Sequence, residues 1–144
     1  MRNKEAHSRQ LLIAGAALFL LGLLQGAAVQ FFANPRMALS AHLTAVQSGM
    51  AVMIAGLVWS LVRLPERGRS IAGWPIVAGM YGLWLGLTSA AATGASSVLP
   101  IAGTGYAAAP AVELAVAALI YPSSGAIVLG WTLLLAGLVR SRSG

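Results

Sequence analysis

The sequence has no cysteine, so it carries no disulfide, no thiolate metal site and no cysteine nucleophile. Only 8% of its 144 residues are charged, and 58% belong to the apolar set. A soluble globular domain has about 25% charged and about 45–50% apolar residues. This shortage of charge excludes a disordered chain, a nucleic-acid-binding domain with a polar surface, and most soluble enzymes. No P-loop, HExxH motif, dinucleotide fingerprint or Ser-His-Asp order is present. The formal net charge of +6 looks like a nucleic-acid footprint only until the basic residues are located, because they sit between apolar runs.

What the chain does have is long apolar runs, at residues 11–32, 37–64, 71–93 and 109–139. About 20 apolar residues cross a bilayer as a helix. The expected fold is therefore all-α, an integral membrane four-helix bundle in which residues 1–144 form a single transmembrane domain in the lipid bilayer. The first run exceeds the ~7–15 residues of a signal-peptide core, so it reads as a retained span. Pro35 suits the first turn of the second helix, and the break at residues 122–125 (PSSG) is expected to kink or split the fourth. Residues 94–108 form an uncharged linker rich in Gly, Ala and Ser, suited to packing on helix ends or dipping into the bilayer.

Four crossings place Arg2, Lys4, Arg9, Arg63, Arg67, Arg69, Arg140 and Arg142 on one side, and leave Arg36 on the other. The positive-inside rule then puts both termini in the cytoplasm. Gly22-x-x-x-Gly26 and Gly82-x-x-x-Gly86 supply the small residues that apolar helices need for close packing. Trp59 and Trp74, near span ends, read as interfacial anchors, and Met50, Met53 and Met80 as packing residues.

Direction converts position into depth. Gln25, His42, Thr88 and Glu113 fall in one layer, roughly 5–10 Å below the outer boundary at ~1.5 Å per residue, with Thr44 and Gln47 close by. Ser60 and Thr132 are the main polar groups of the inner half. Polar groups inside spans face a protein interior or a wet cavity, so this layer is the candidate site. His7 lies in the basic head and reads as solvated, which makes His42 the focal residue. Imidazole is the uncharged side chain here that binds transition metals well. Ala45 and Gly49 share its helix face and offer a flat surface to a macrocycle, and Arg36 lies where propionates would reach the membrane edge. From the residues alone His42 is either a haem ligand or a hydrogen-bonded structural histidine. Glu113 reads either as a proton donor or acceptor made less acidic by burial, or as a cap on the fourth helix. The Tyr81 hydroxyl reaches a cavity or another helix.

The stretch ANPRMALSAHLTAVQSGM, with FLLGLLQG at residues 19–26, resembles the hydroxylaminobenzene mutases, small four-span bacterial membrane proteins. The likeness continues more loosely through Tyr81-Gly82 and the Glu113 region. It implies conversion of a small hydrophobic aromatic substrate, a hydroxylaminoarene, into a 2-aminophenol. Gly49-Met50 at +7 and +8 from His42 resembles, more distantly, styrene oxide isomerase. That second resemblance implies haem b with His42 as axial ligand, and a homotrimer with the haem between protomers. Three positions depart from the pattern: Ser48 and Gly86 stand where asparagines are expected, and Thr44 where the mutases have an acid.

The resulting expectation is an isomerase using ferric haem as a Lewis acid, with Ser48, Glu113, Tyr81 and Gln25 as candidate catalytic residues. His42, Arg36, Ala45 and Gly49 are the candidate cofactor-binding residues. The alternatives are an epoxide isomerase, a non-enzymatic membrane haem protein and a cofactor-free membrane protein. No nucleic-acid partner is expected.

Overall fold

The computed structural model describes residues 2–140, so Arg142 of the basic tail lies outside them. Its helices are α1 (Arg2–Ala28), α2 (Pro35–Val58), α3 (Glu66–Thr93) and α4 (Pro110–Val139). Short 3₁₀ turns at Val29–Phe31 and Trp59–Leu61 finish α1 and α2. Four helices are each long and apolar enough to cross a membrane.

The helix ends follow from local chemistry. Asn34 caps α2: its Oδ1 accepts the Met37 N–H at 3.1 Å, and Pro35 occupies the first turn, where a missing N–H costs nothing. At the end of α3, Gly94 takes φ 78°, a left-handed conformation that favours glycine, and its N–H reaches Ala90 O at 2.9 Å. The expectation of a split at residues 122–125 is not met, because α4 runs unbroken from Pro110 to Val139. Pro122 removes one N–H from the helix ladder and frees the Ala118 carbonyl without breaking the helix, and Ser124 Oγ donates to Ile120 O at 2.9 Å.

Two tight hairpins make up the molecule. Along the α1–α2 seam a Cβ on Gly15 would lie 2.7 Å from Gly49 O, and one on Gly22 would lie 2.9 Å from Ala45 Cβ. Along the α3–α4 seam a Cβ on Gly82 would lie 2.2 Å from Ser123 Oγ, and one on Gly86 would lie 2.7 Å from Ile120 Cγ1. Both small-residue pairs noted in the sequence thus sit at helix contacts, where backbones approach because no side chain intervenes. Helices α2 and α3 join the hairpins, so α1 and α4 are the outer helices. These two turn leucines and valines outward, with Leu24 62%, Leu114 71% and Val128 67% exposed, as lipid-facing surface requires.

Two expectations at the end of the bundle where α1 begins are corrected. Trp59 is not an interfacial anchor, since it is fully buried. His7 is not a solvated head residue, since its ring stacks on Trp59 with centroids 5.4 Å apart and planes 20° from parallel. The reason is that α1 starts well before the apolar run. Its first turns cover the end of α2, where Ser8 Oγ donates to Gly56 O at 2.7 Å. Trp74, by contrast, is 66% exposed.

Candidate functional site

His42 leaves α2 toward α1, and its half-buried ring lies flat on Gly26, where a Cβ would come within 2.7 Å of Cε1. Nδ1 is 2.7 Å from Gly22 O. A carbonyl can only accept, so Nδ1 carries the proton and donates it. In the neutral ring Nε2 is then the free lone pair, and it has no hydrogen-bond partner among the described residues. Small residues at 22 and 26 of α1 are therefore what hold this imidazole in one orientation.

The flat face expected beside the ring is already filled. Ala45 is fully buried, and a Cβ on Gly49 would lie 2.5 Å from Phe19 N. Both residues face α1 inside the same chain, so no macrocycle lies against them. Small side chains made that face attractive for a cofactor, and the same smallness let α1 close over it. The outward side of α2 next to His42 carries the exposed Leu39, Leu43 and Met50 instead.

Gln25 is buried and hydrogen-bonded at both ends of its amide. Its Nε2 donates to Thr88 Oγ1 at 3.0 Å, and its Oε1 accepts the Trp84 indole N–H at 2.7 Å. The depth argument thus brings Gln25 and Thr88 together and sets His42 beside the adjacent Gly26, and it makes Gln25 a brace between α1 and α3. Tyr81 is a second brace: its hydroxyl donates to Ala14 O at 2.8 Å, and its ring meets Trp84 edge-on at 6.4 Å. Ser48 is buried, at 6% exposure, and its hydroxyl has no hydrogen bond among the described residues. Six residues along a helix turn it about 240° from His42, so the two groups lie on different faces of α2.

Glu113 does not join that layer, and its reading as a burial-perturbed proton group is corrected. Its half-buried carboxylate accepts from Ser96 N at 3.0 Å, Ser97 N at 3.0 Å, Ser97 Oγ at 2.7 Å and Ala108 N at 3.2 Å. It pins both ends of residues 94–108 to the start of α4. The exposed Arg36 guanidinium donates to Thr104 O, a further tie to the same linker that engages one of its five N–H donors. Asn34 supplies a third hold, donating from Nδ2 to Ala102 O at 2.9 Å and from its backbone N–H to Ala91 O at 2.9 Å. The linker is thereby a cap on the end of the bundle where α2 and α4 begin, with Val98, Leu99 and Ala102 packed against the cluster of Met37, Ala38 and Ala41.

Asn34 and Trp84 were missed as functional residues. Both had a signal: an asparagine before a helix-starting proline is a cap, and an indole N–H deep in a span needs an acceptor. Gly86 also gains a reason, because any side chain there meets Ile120 across the α3–α4 seam. Thr44 makes no hydrogen bond among the described residues. No cluster of three or more His, Cys, Asp or Glu side chains occurs among the described residues, so a bound metal would rest on a single imidazole.

A family model described as styrene oxide isomerase matches residues 7–139. The chain is 36% identical over 131 residues to the hydroxylaminobenzene mutase HabA of Ectopseudomonas oleovorans, covering 90% of this chain and 97% of that protein. It is 41% identical over 107 residues to the hydroxylaminobenzene mutase HabB of the same organism, covering 74% of this chain and 65% of that protein. No solved structure matches the chain at a significant level.

Proposed function

The chain belongs to the styrene oxide isomerase family, and on that premise we propose that it is a membrane isomerase rearranging hydroxylaminoarenes to 2-aminophenols, with haem b held by His42. Its relatives' names support an isomerase or mutase of small molecules. The observation that carries the haem reading is the His42 ring: Nδ1–H is given to Gly22 O, and Nε2 is left without a partner. A backbone carbonyl that fixes the tautomer and raises the basicity of the other nitrogen is the usual outer-shell partner of a metal-ligating histidine.

The residues present fit the group on one side only. Ala45 and Gly49 are covered by α1, so the porphyrin would lie along the exposed apolar surface of Leu39, Leu43 and Met50. That surface faces outward in a single copy, and the resemblance to styrene oxide isomerase implies a homotrimer in which a neighbouring protomer would complete the site. Ferric haem held there would supply a Lewis acid toward the substrate's oxygen.

The proposed reaction is an isomerisation. The N–O bond of the hydroxylaminoarene breaks, a C–O bond forms at the ortho carbon, and the proton lost from that carbon is balanced by one gained at nitrogen. No electron donor is needed. The chain's own contribution is to hold the imidazole rigid and to keep water out. The cap, tied by Asn34, Arg36 and Glu113, shields the end of the bundle nearest His42. Water would otherwise trap the cationic arene as side products. Buried Ser48 keeps an uncommitted hydroxyl proton, but it lies on a different face of α2 from His42 and takes no step in this reaction. Glu113, fully engaged by the linker, holds the cap and moves no proton. Both termini are placed in the cytoplasm by the positive-inside rule.

The family model's description favours a second substrate, an aryl epoxide, whose C–O bond would be weakened in the same way. Purified wild-type protein from haem-replete cells is expected to show a Soret band that His42→Ala loses. A variant retaining the full band would end the haem reading. Wild type is expected to convert phenylhydroxylamine to 2-aminophenol above a haem-only control. Turnover of styrene oxide to a carbonyl isomer, without that conversion, would instead assign the epoxide reaction.

A further inference from the structure

At the end of the molecule where α1 begins, far from His42, α1 and α3 part around a cavity of about 250 Å³. Its apolar wall is Leu11, Ala14, Trp74 and Val77, and its polar lining is His7 and Gln10. Ala14 to Gly26, where His42 rests, is roughly 18 Å along α1 at 1.5 Å per residue, so the cavity is separate from the proposed haem site. The Tyr81 hydroxyl, bonded to Ala14 O at 2.8 Å, bars the cleft one helical turn beyond Val77.

From this arrangement we infer a second ligand site, for a single-ring aromatic carrying a hydrogen-bonding amine or hydroxyl. Size sets the first limit. A cavity of roughly 150 Å³ accommodates benzene and drug-sized ligands take upward of about 300 Å³, so this one suits one substituted ring. Polarity sets the second. The wall is mostly apolar; the Trp74 indole adds one N–H donor, and the remaining hydrogen-bonding side chains are His7 and Gln10. Neither His7 nor Gln10 has a side-chain hydrogen-bond partner among the described residues. The imidazole is moreover pre-positioned, stacked on the fully buried Trp59 and set against Gly73, where a Cβ would lie 3.1 Å from Nε2. A fixed donor or acceptor costs a ligand less to engage than a mobile one. A lipid chain would use the wall and leave the part-buried His7 ring nitrogens unpaired, whereas exposed Gln10 at the mouth is open to solvent. The site rests on the proposed reaction only in that its ligand has the chemistry of that reaction's substrate and product. It would hold such molecules at the inner face, before or after chemistry at His42.

The test is binding of 4-fluoroaniline, followed by ¹⁹F line broadening, to the full chain in lipid nanodiscs, with protein-free nanodiscs of the same lipid as the partition baseline. Saturable broadening is expected in wild type and equally in His42→Ala, which keeps the result independent of haem and of turnover. Two cavity-filling variants, Ala14→Leu and Val77→Phe, are each expected to weaken it about tenfold or more, and His7→Phe, which keeps the ring and removes its nitrogens, about fivefold. Unlabelled aniline should compete and palmitate should not. Four outcomes would each overturn the site: broadening that never saturates, broadening unchanged in both filled variants, broadening lost in His42→Ala, or competition by palmitate alone. Failure of the isomerase reading would register instead as absent 2-aminophenol with this binding intact.

Discussion

The α1–α2 seam and the α1–α3 cleft share one helix and use opposite means of contact. In the seam, glycines bring backbones so close that a Cβ at Gly49 would lie 2.5 Å from Phe19 N. In the cleft, long side chains hold the helices apart: Tyr81 reaches Ala14 O, and Gln25 ties Trp84 to Thr88. Lipid is as apolar as leucine, so helices in a membrane gain nothing by merely hiding hydrocarbon from it. They associate by fitting shapes or by pairing polar groups. The seam relies chiefly on shape, with Ser8 and His42 each hydrogen-bonding a carbonyl across it, and leaves no space. The cleft uses hydrogen bonds between distant backbones, and space for a ligand remains beneath them. His42 belongs to the seam, because its orientation depends on Gly22 and Gly26; the second ligand site belongs to the cleft.

Substitutions can break or sharpen that contrast. The largest effect is expected of Gly49→Leu, which drives a side chain into the α1 backbone. A loss of roughly 3 kcal/mol or more should appear as a lower melting temperature in detergent, and wild-type melting would mean that the seam can spread. Gln25→Leu comes next. It leaves the Trp84 N–H and the Thr88 hydroxyl without their partner, at about 1–2 kcal/mol by the same assay. Tyr81→Phe should cost about 1 kcal/mol or less, since it removes one hydroxyl while the ring keeps its edge contact with Trp84. The smallest change has the opposite sign. Gly125 lies inside α4 with open space where a Cβ would go, so Gly125→Ala should gain about 0.5–1 kcal/mol through helix propensity. A gain there beside a large loss at Gly49 would show that contact, and not glycine itself, sets the cost in the seam.

The fold was legible to the extent that it depends on apolar runs. All four runs became helices, and both small-residue pairs found a neighbouring helix. What pattern could not show was how far each helix continues past its run. α1 begins at Arg2, and its polar first turns are what carry His7 onto Trp59. Helical hydrogen bonding continues into polar sequence wherever a neighbour can be covered, and no hydropathy window records that neighbour. At the site, Gln25 with Thr88 followed from depth alone, because both lie near the outer ends of parallel helices. Glu113 did not follow. Its partners Ser96, Ser97 and Ala108 belong to an irregular segment whose path no periodicity describes. Arg36 and Thr104 met for the same reason.

Composition and periodicity therefore determined that this chain is a set of apolar helices with few polar groups, one imidazole among the spans and its basic residues between them. Those are properties of successive residues along one axis, and a 3.6-residue repeat or a run of leucines expresses them without reference to any other part of the chain. Which carbonyl holds His42, which helix covers Ala45 and Gly49, and where a cavity survives were decided only when α1 settled against α2 at close range and against α3 at a distance. Such outcomes depend on side-chain volumes meeting across elements more than ten residues apart, and that complementarity exists only in the packed molecule.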